Sequence, residues 1–196
     1  RSAMSDDVSA FRPAIPDPYP EKWRRISGFR YESRLMLART PKALKIRRTR
    51  ETSYVVAEPY TVSFEVDGER RELTVPAGML TDLVSVPAFA RSIVGRVGPH
   101  LEAAIVHDYL FIAWQLLEKK PLRRDFDFAN EVMFAGLKAA RIGFFQRWSI
   151  ETALTSFGVA WGVYKETDAR LFIELDRRFE RFRSASTGLL DAPVVA

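Results

Sequence analysis

The sequence predicts an α+β domain in which a small antiparallel β-hairpin or sheet packs against a layer of three to four α-helices. Three observations carry this expectation. Thr61-Val-Ser-Phe-Glu-Val66 alternates apolar and polar residues, Asp67-Gly68 is the signature of a type I′ turn, and Glu69-Arg-Arg-Glu-Leu-Thr-Val75 returns as a second strand. A connection punctuated by Pro76, Gly78, Pro87, Gly95 and Gly98 follows. Beyond it the apolar residues recur at helical spacing to about residue 183.

Taken in order, residues 1–20 hold Pro13, Pro16, Pro18 and Pro20 among small and charged residues and read as an extended arm. Residues 21–50 are less distinct, with a short helix expected over 31–39 and ended by Pro41. In the hairpin, a two-residue turn sets Glu65 opposite Arg70 and Val62 opposite Leu73, which matches charge with charge and core with core. A helix is expected from Pro99 to about residue 119, with Pro99 in its first turn and Pro121 beyond its end. A second covers 126–141, closed by Gly143. A third, 145–164, is apolar nearly all round, and a fourth, 167–183, carries Leu171, Leu175, Phe179 and Phe182 on one stripe. The chain divides into a basic, partly extended arm at 1–50, a core domain at 51–165, and a basic amphipathic helix with a tail at 166–196.

At 196 residues, with 47% hydrophobic and 28% charged, the chain is long enough for one sizeable core. It has no cysteine, which removes disulfides, thiolate nucleophiles and cysteine zinc sites. No apolar run approaches the roughly 20 residues of a membrane span, and Arg1-Ser-Ala-Met4 reads as a tag remnant rather than a signal peptide. A soluble protein follows, cytoplasmic where it is made, with a virion or secreted destination also open. The net charge of +5 resolves into +8 over residues 1–50 and −3 over the rest. Arg24, Arg25, Arg47 and Arg48, interleaved with Trp23, Phe29 and Tyr31, form a stretch that could track a phosphate backbone and stack on bases. A basic arm is more often a solvated face, and no nucleic-acid-binding motif accompanies this one.

Chemistry concentrates in Val75-Pro-Ala-Gly-Met-Leu-Thr-Asp-Leu-Val-Ser-Val-Pro87 and Ala103-Ala-Ile-Val-His-Asp108. One helical turn from His107 lie Ala103, Ala104, Leu110 and Phe111; one turn from Asp108 lie Ala104, Ile105, Phe111 and Ile112. An acid in such surroundings must find a partner, take a proton or bind a metal. Thr81, Asp82 and Ser85 on the preceding loop are the nearest candidates. The same residues also suit a structural network, with Asp82 capping a short turn and His107 bridging loop to helix. His100 lies two turns, about 10 Å, from His107, too far to share a metal with it, and reads as a surface residue at the helix start.

These two stretches resemble the signatures of the small bacterial and phage proteins grouped as domain-of-unknown-function family 1353. The resemblance extends into Ala129-Asn-Glu-Val-Met-Phe-Ala-Gly-Leu-Lys138 and the segment from Phe157 to Trp161, covering roughly residues 55–162. It implies a phage or prophage setting, with phage structural proteins or cell-wall material as partner or substrate, and brings no established activity. At one position the chain departs from the family, with Ala129-Asn130 where an Ala-Asp pair is usual. Asn130 keeps a hydrogen-bonding or weak oxygen-ligand role there, and with Thr81 is a candidate substrate-binding residue.

Two catalytic schemes are consistent with these residue types. In a Ser-His-Asp hydrolase, Ser85 is nucleophile, His107 base and Asp82 or Asp108 the orienting acid, although no Gly-x-Ser-x-Gly elbow is present. In a metal-dependent hydrolase, His107, Asp108 and Asp82 hold a divalent ion around a water. Glycine-rich phosphate loops and dinucleotide fingerprints are absent. The leading expectation is a small phage-type hydrolase acting on cell-wall material. The alternatives are a non-catalytic virion or assembly protein with a buried Asp-Ser-His-Asp network, and nucleic-acid binding by the basic arm.

Overall fold

A computed structural model describes residues 13–38, 54–81, 100–143, 161–162, 164–165 and 172. The predicted hairpin forms from β4, Tyr60–Val66, and β5, Glu69–Val75, with Glu65 opposite Arg70 and Val62 opposite Leu73. Asp67 and Gly68 take positive φ, 54° and 91°, as a type I′ turn requires. Alternation then does its work: Tyr60, Val62, Phe64, Val66, Leu73 and Val75 are all buried on the inner face.

Strand β1, Ile26–Tyr31, pairs antiparallel with the other edge of β4, giving the order β1-β4-β5. Its register shifts between Ser27 and Arg30, where Gly28 adopts φ 62°. The bulge needs glycine for this backbone conformation; a Cβ there would lie 3.0 Å from the end of the exposed Glu65 side chain, which is free to swing aside. A second three-stranded antiparallel sheet has the order β2-β3-β6, from Leu37–Ala38, Tyr54–Val56 and Leu80–Thr81. Strands β1 and β2 correct the helix expected over 31–39. Tyr31 ends a strand whose backbone bonds go to β4, and its hydroxyl reaches the Gly136 carbonyl at 2.8 Å; pairing across the fold overrides the local helical pattern.

Helix α1, Leu101–Leu116, buries residues almost all round. Helix α2, Arg123–Ala139, is amphipathic and packs on α1 and β1. Close approach is set by Gly136, where a Cβ would meet Ala103 Cβ at 3.0 Å and Phe29 Cζ at 3.3 Å. The α+β layering is therefore as the sequence predicts, with two long helices in place of three to four among the described residues. Residues 161–162 and 164–165 are helical, and the remainder of the expected helix 145–164 lies outside the described residues, apart from its neighbours at 142–143. Of 167–183 only Phe172 is described, and it forms an isolated antiparallel bridge with Met79 instead of a helical turn. No described helix is long and apolar enough to cross a membrane.

Candidate functional site

Helix α1 carries His107 toward α2 and Asp108 toward β6, because consecutive helical residues diverge by about 100°. His107 is 2% exposed. Its Nε2 lies 3.0 Å from Asn130 Oδ1 on α2, and its ring packs against Phe111 one turn on, centroids 4.0 Å apart. An amide oxygen accepts only, so this contact fixes the Nε2–H tautomer and leaves Nδ1 with its lone pair. Nδ1 is buried and has no hydrogen-bond partner among the described residues. Burial pushes the imidazole down to about 4, against a smaller upward pull from Asn130, so the ring is neutral at physiological pH.

Asp108 is half-buried, and its Oδ2 accepts a hydrogen bond from Thr81 Oγ1 at 3.1 Å. Thr81 is 2% exposed at the end of β6, and Asp82 is the next residue of the chain. The second sheet is thereby tied to α1 beside the His-Asp pair. Thus His107 with Asn130, and Asp108 with Thr81, are brought together as two adjoining polar contacts. Asp82 and Ser85, expected as acid and nucleophile, lie outside the described residues. Among the described residues no group of three His, Asp or Glu could hold a metal. With Nε2 engaged by Asn130, Nδ1 is the ring atom left to ligate one.

The expected nucleic-acid residues divide similarly. Arg24 and Arg25 are exposed, and their backbone N–H groups donate to the Asp67 carboxylate at 3.1 and 2.9 Å; Arg47 and Arg48 lie outside the described residues. Asp67 therefore makes the hairpin turn and clasps the chain entering β1. His100, expected at the surface, is 2% exposed at the start of α1, where its carbonyl accepts the Ala104 N–H at 3.0 Å. Sequence reasoning missed Tyr19, whose hydroxyl donates to the Leu110 carbonyl one turn beyond His107. The signal was there in Pro18-Tyr19-Pro20, an aromatic residue set between two prolines.

The fold and site together define a class: a small α+β protein with one buried, neutral histidine held between two helices and an adjoining Asp-Thr contact to a short sheet. Comparison with known families makes it specific. The model described as "Protein of unknown function (DUF1353)" matches residues 54–153, just over half of the chain, and the protein belongs to that family. The match spans β3 to β6, both helices and every residue of the two polar contacts. No curated protein and no solved structure matched the chain.

Proposed function

We propose that the protein is a small hydrolase in which His107 is the proton acceptor. The observation that carries this reading is the buried Nδ1 lone pair without a partner among the described residues, on a ring whose tautomer Asn130 fixes. A buried acceptor left unpaired costs about 1–3 kcal/mol, so it is retained where something uses it. A proton leaving Ser85 or a bound water would pass to Nδ1, while the Nε2–H bond to Asn130 holds the ring in place. An imidazole at about 4 is a weak base at rest. A carboxylate beside Nδ1 would raise it toward the useful range, and Asp82, directly after Thr81, is the residue for that role. A divalent ion on Nδ1, Asp108 and Asp82 is the metal-dependent form of the same proposal. Cell-wall polymers are the first substrates to assay, given the phage setting that the family resemblance implies.

A second reading is favoured by the 2% exposure of His107: a non-catalytic assembly protein in which the His107–Asn130 and Thr81–Asp108 contacts lock sheet to helices. One experiment separates them. Metal content and thermal shift over divalent ions are measured for wild type and His107→Gln, followed by cell-wall hydrolysis. Loss of hydrolysis, or of an ion-specific stabilisation, in a variant that stays folded supports the hydrolase. A wild type with neither activity nor ion response, and a strongly destabilised variant, would favour the structural lock.

A further inference from the structure

Away from the His107 contacts, α2 and the helical residues 161–162 and 164–165 meet in a group of aromatic and charged side chains. On α2, Arg123 and Asp127 are one turn apart, and Arg123 Nε donates to Asp127 Oδ1 at 2.9 Å. Phe126 joins the two segments. Trp161 meets it edge-on, centroids 5.5 Å apart and planes at 79°, and the Arg123 guanidinium lies 4.9 Å from the Phe126 ring and 5.9 Å from the Trp161 ring. Lys165 Nζ is 5.7 Å from the same Trp161 ring. One indole thus carries two cations, and a carboxylate is held beside one of them.

The group lies at the surface. Trp161 and Gly162 are half-buried, Lys165 is exposed, and the Arg123 and Asp127 side chains are 38% and 43% exposed. A Cβ added to Gly162 would meet nothing within 4 Å, so the backbone beside Trp161 borders open space. Buried rings back the indole: Tyr164, fully buried, stacks on Trp161 with planes 19° apart and centroids at 5.5 Å, and also meets Phe126 at 5.5 Å. A ring supported in this way is ordered before any ligand arrives, which lowers the entropy cost of binding. At this exposure the ion pair contributes little to stability.

A sugar ring presents an apolar C–H face that packs flat on an indole, and hydroxyls around its rim that donate to a carboxylate. A sugar that also bears an acid offers a charge to Lys165 and Arg123. Nucleic acid stacks and is anionic too, but Asp127 beside the stacking ring repels phosphates. We propose that Trp161, Asp127, Arg123 and Lys165 form a surface subsite for an acidic sugar of a glycan polymer. Trp161 stacks on the ring, Asp127 accepts from its hydroxyls, and the two cations meet its carboxylate. Phe126 lies against Phe111 at 5.7 Å and Phe111 against His107 at 4.0 Å, so two rings stand between Trp161 and the candidate base. The subsite holds the polymer and does not touch the bond being cut. The choice of a cell-wall glycan rests on the hydrolase reading, and binding is measured apart from hydrolysis so that either can fail alone.

Wild type, Trp161→Ala, Lys165→Glu and Asp127→Asn are titrated by calorimetry with cell-wall glycan strands freed of their peptides, which leaves their lactyl groups as carboxylates, and with neutral N-acetylglucosamine tetramer. Hydrolysis of the same strands by wild type and His107→Gln is followed in parallel. Wild type should bind the acidic strands more tightly than the tetramer. Trp161→Ala should weaken strand binding roughly tenfold, and Lys165→Glu and Asp127→Asn roughly threefold or more. Lys165 and Asp127 are exposed, so those two variants remain informative if Trp161→Ala fails to fold. No binding by wild type, or undiminished binding in both Lys165→Glu and Asp127→Asn, overturns the subsite. Tighter binding by Asp127→Asn, with a single-stranded oligonucleotide held better than the strands, overturns it in favour of nucleic acid. Binding that depends on these residues without any hydrolysis supports the subsite and sinks the hydrolase reading alone.

Discussion

Asn130 Oδ1 sits 3.0 Å from His107 Nε2, joining α2 to α1 through a pair in which both side chains are buried. The contact sets the chemistry of the ring. A neutral amide oxygen holds the Nε2–H tautomer without supplying a charge to stabilise an imidazolium, so burial dominates and the ring stays neutral.

A stability limb in mild acid follows. His107 titrates at about 4 in the folded protein and near 6.5 in the unfolded chain, so the unfolded chain takes up the proton first as pH falls. Stability from the neutral ring is complete above 6.5 and is lost between 6.5 and 4. The full loss is about 3 kcal/mol. Asp125 and Glu102, raised by burial, act in the opposite sense, because an acid that binds its proton more readily when folded gains stability in acid. The difference between wild type and His107→Gln in urea unfolding from pH 7.5 to 4 isolates the histidine. A difference that does not vary with pH would refute the buried neutral ring.

Replacing Asn130 with Asp restores the acid that the family resemblance implies at this position. A carboxylate 3.0 Å from Nε2 favours the imidazolium, and His107 should titrate roughly one to three pH units higher. Proton NMR of the imidazole checks it. If His107 is the base, hydrolysis near neutral pH should rise in the same variant; a titration that does not move would show that Asn130 is not the residue governing this ring.

The hairpin was legible in the sequence because turn chemistry and period-2 alternation agree there, down to Glu65 opposite Arg70 and Val62 opposite Leu73. Strand β1 was not, since residues 26–31 follow no alternation and become a strand only by completing the edge of β4. The His107 surroundings were legible one turn either way: Phe111 was named from spacing and packs on the ring. Asn130 stood out through family resemblance, and no spacing rule places a residue of α2 against one of α1. His100 misled, because a polar residue before a helix reads as solvated whatever packs over it.

Two tyrosines on neighbouring strands, Tyr31 half-buried and Tyr60 fully buried, should respond oppositely to loss of their hydroxyls. Tyr31 donates to the Gly136 carbonyl at 2.8 Å, whereas the Tyr60 hydroxyl is buried with no partner among the described residues. Tyr31→Phe forfeits a hydrogen bond and should cost about 1 kcal/mol. Tyr60→Phe removes an unsatisfied polar atom and should be neutral or stabilising by up to about 1 kcal/mol. Chemical denaturation of the two variants is enough; a costly Tyr60→Phe would mean that its hydroxyl has a partner.

Gly136 tests the interhelical contact that carries His107 to Asn130. A methyl there would lie 3.0 Å from Ala103 Cβ and 3.3 Å from Phe29 Cζ, inside ordinary contact distance, and neither neighbour is the far end of a flexible chain. Alanine normally stabilises a helix interior over glycine by about 1 kcal/mol. Overpacking costs about 1–3 kcal/mol, so the net effect of Gly136→Ala should be destabilising. Easing the clash would part α2 from α1 near Ala103, one turn from His107, and should lengthen the His107–Asn130 contact. Thermal unfolding together with the His107 proton signal reads both effects. A variant as stable as wild type, with an unshifted imidazole signal, would show that the helices accommodate the methyl and that Gly136 does not set their approach.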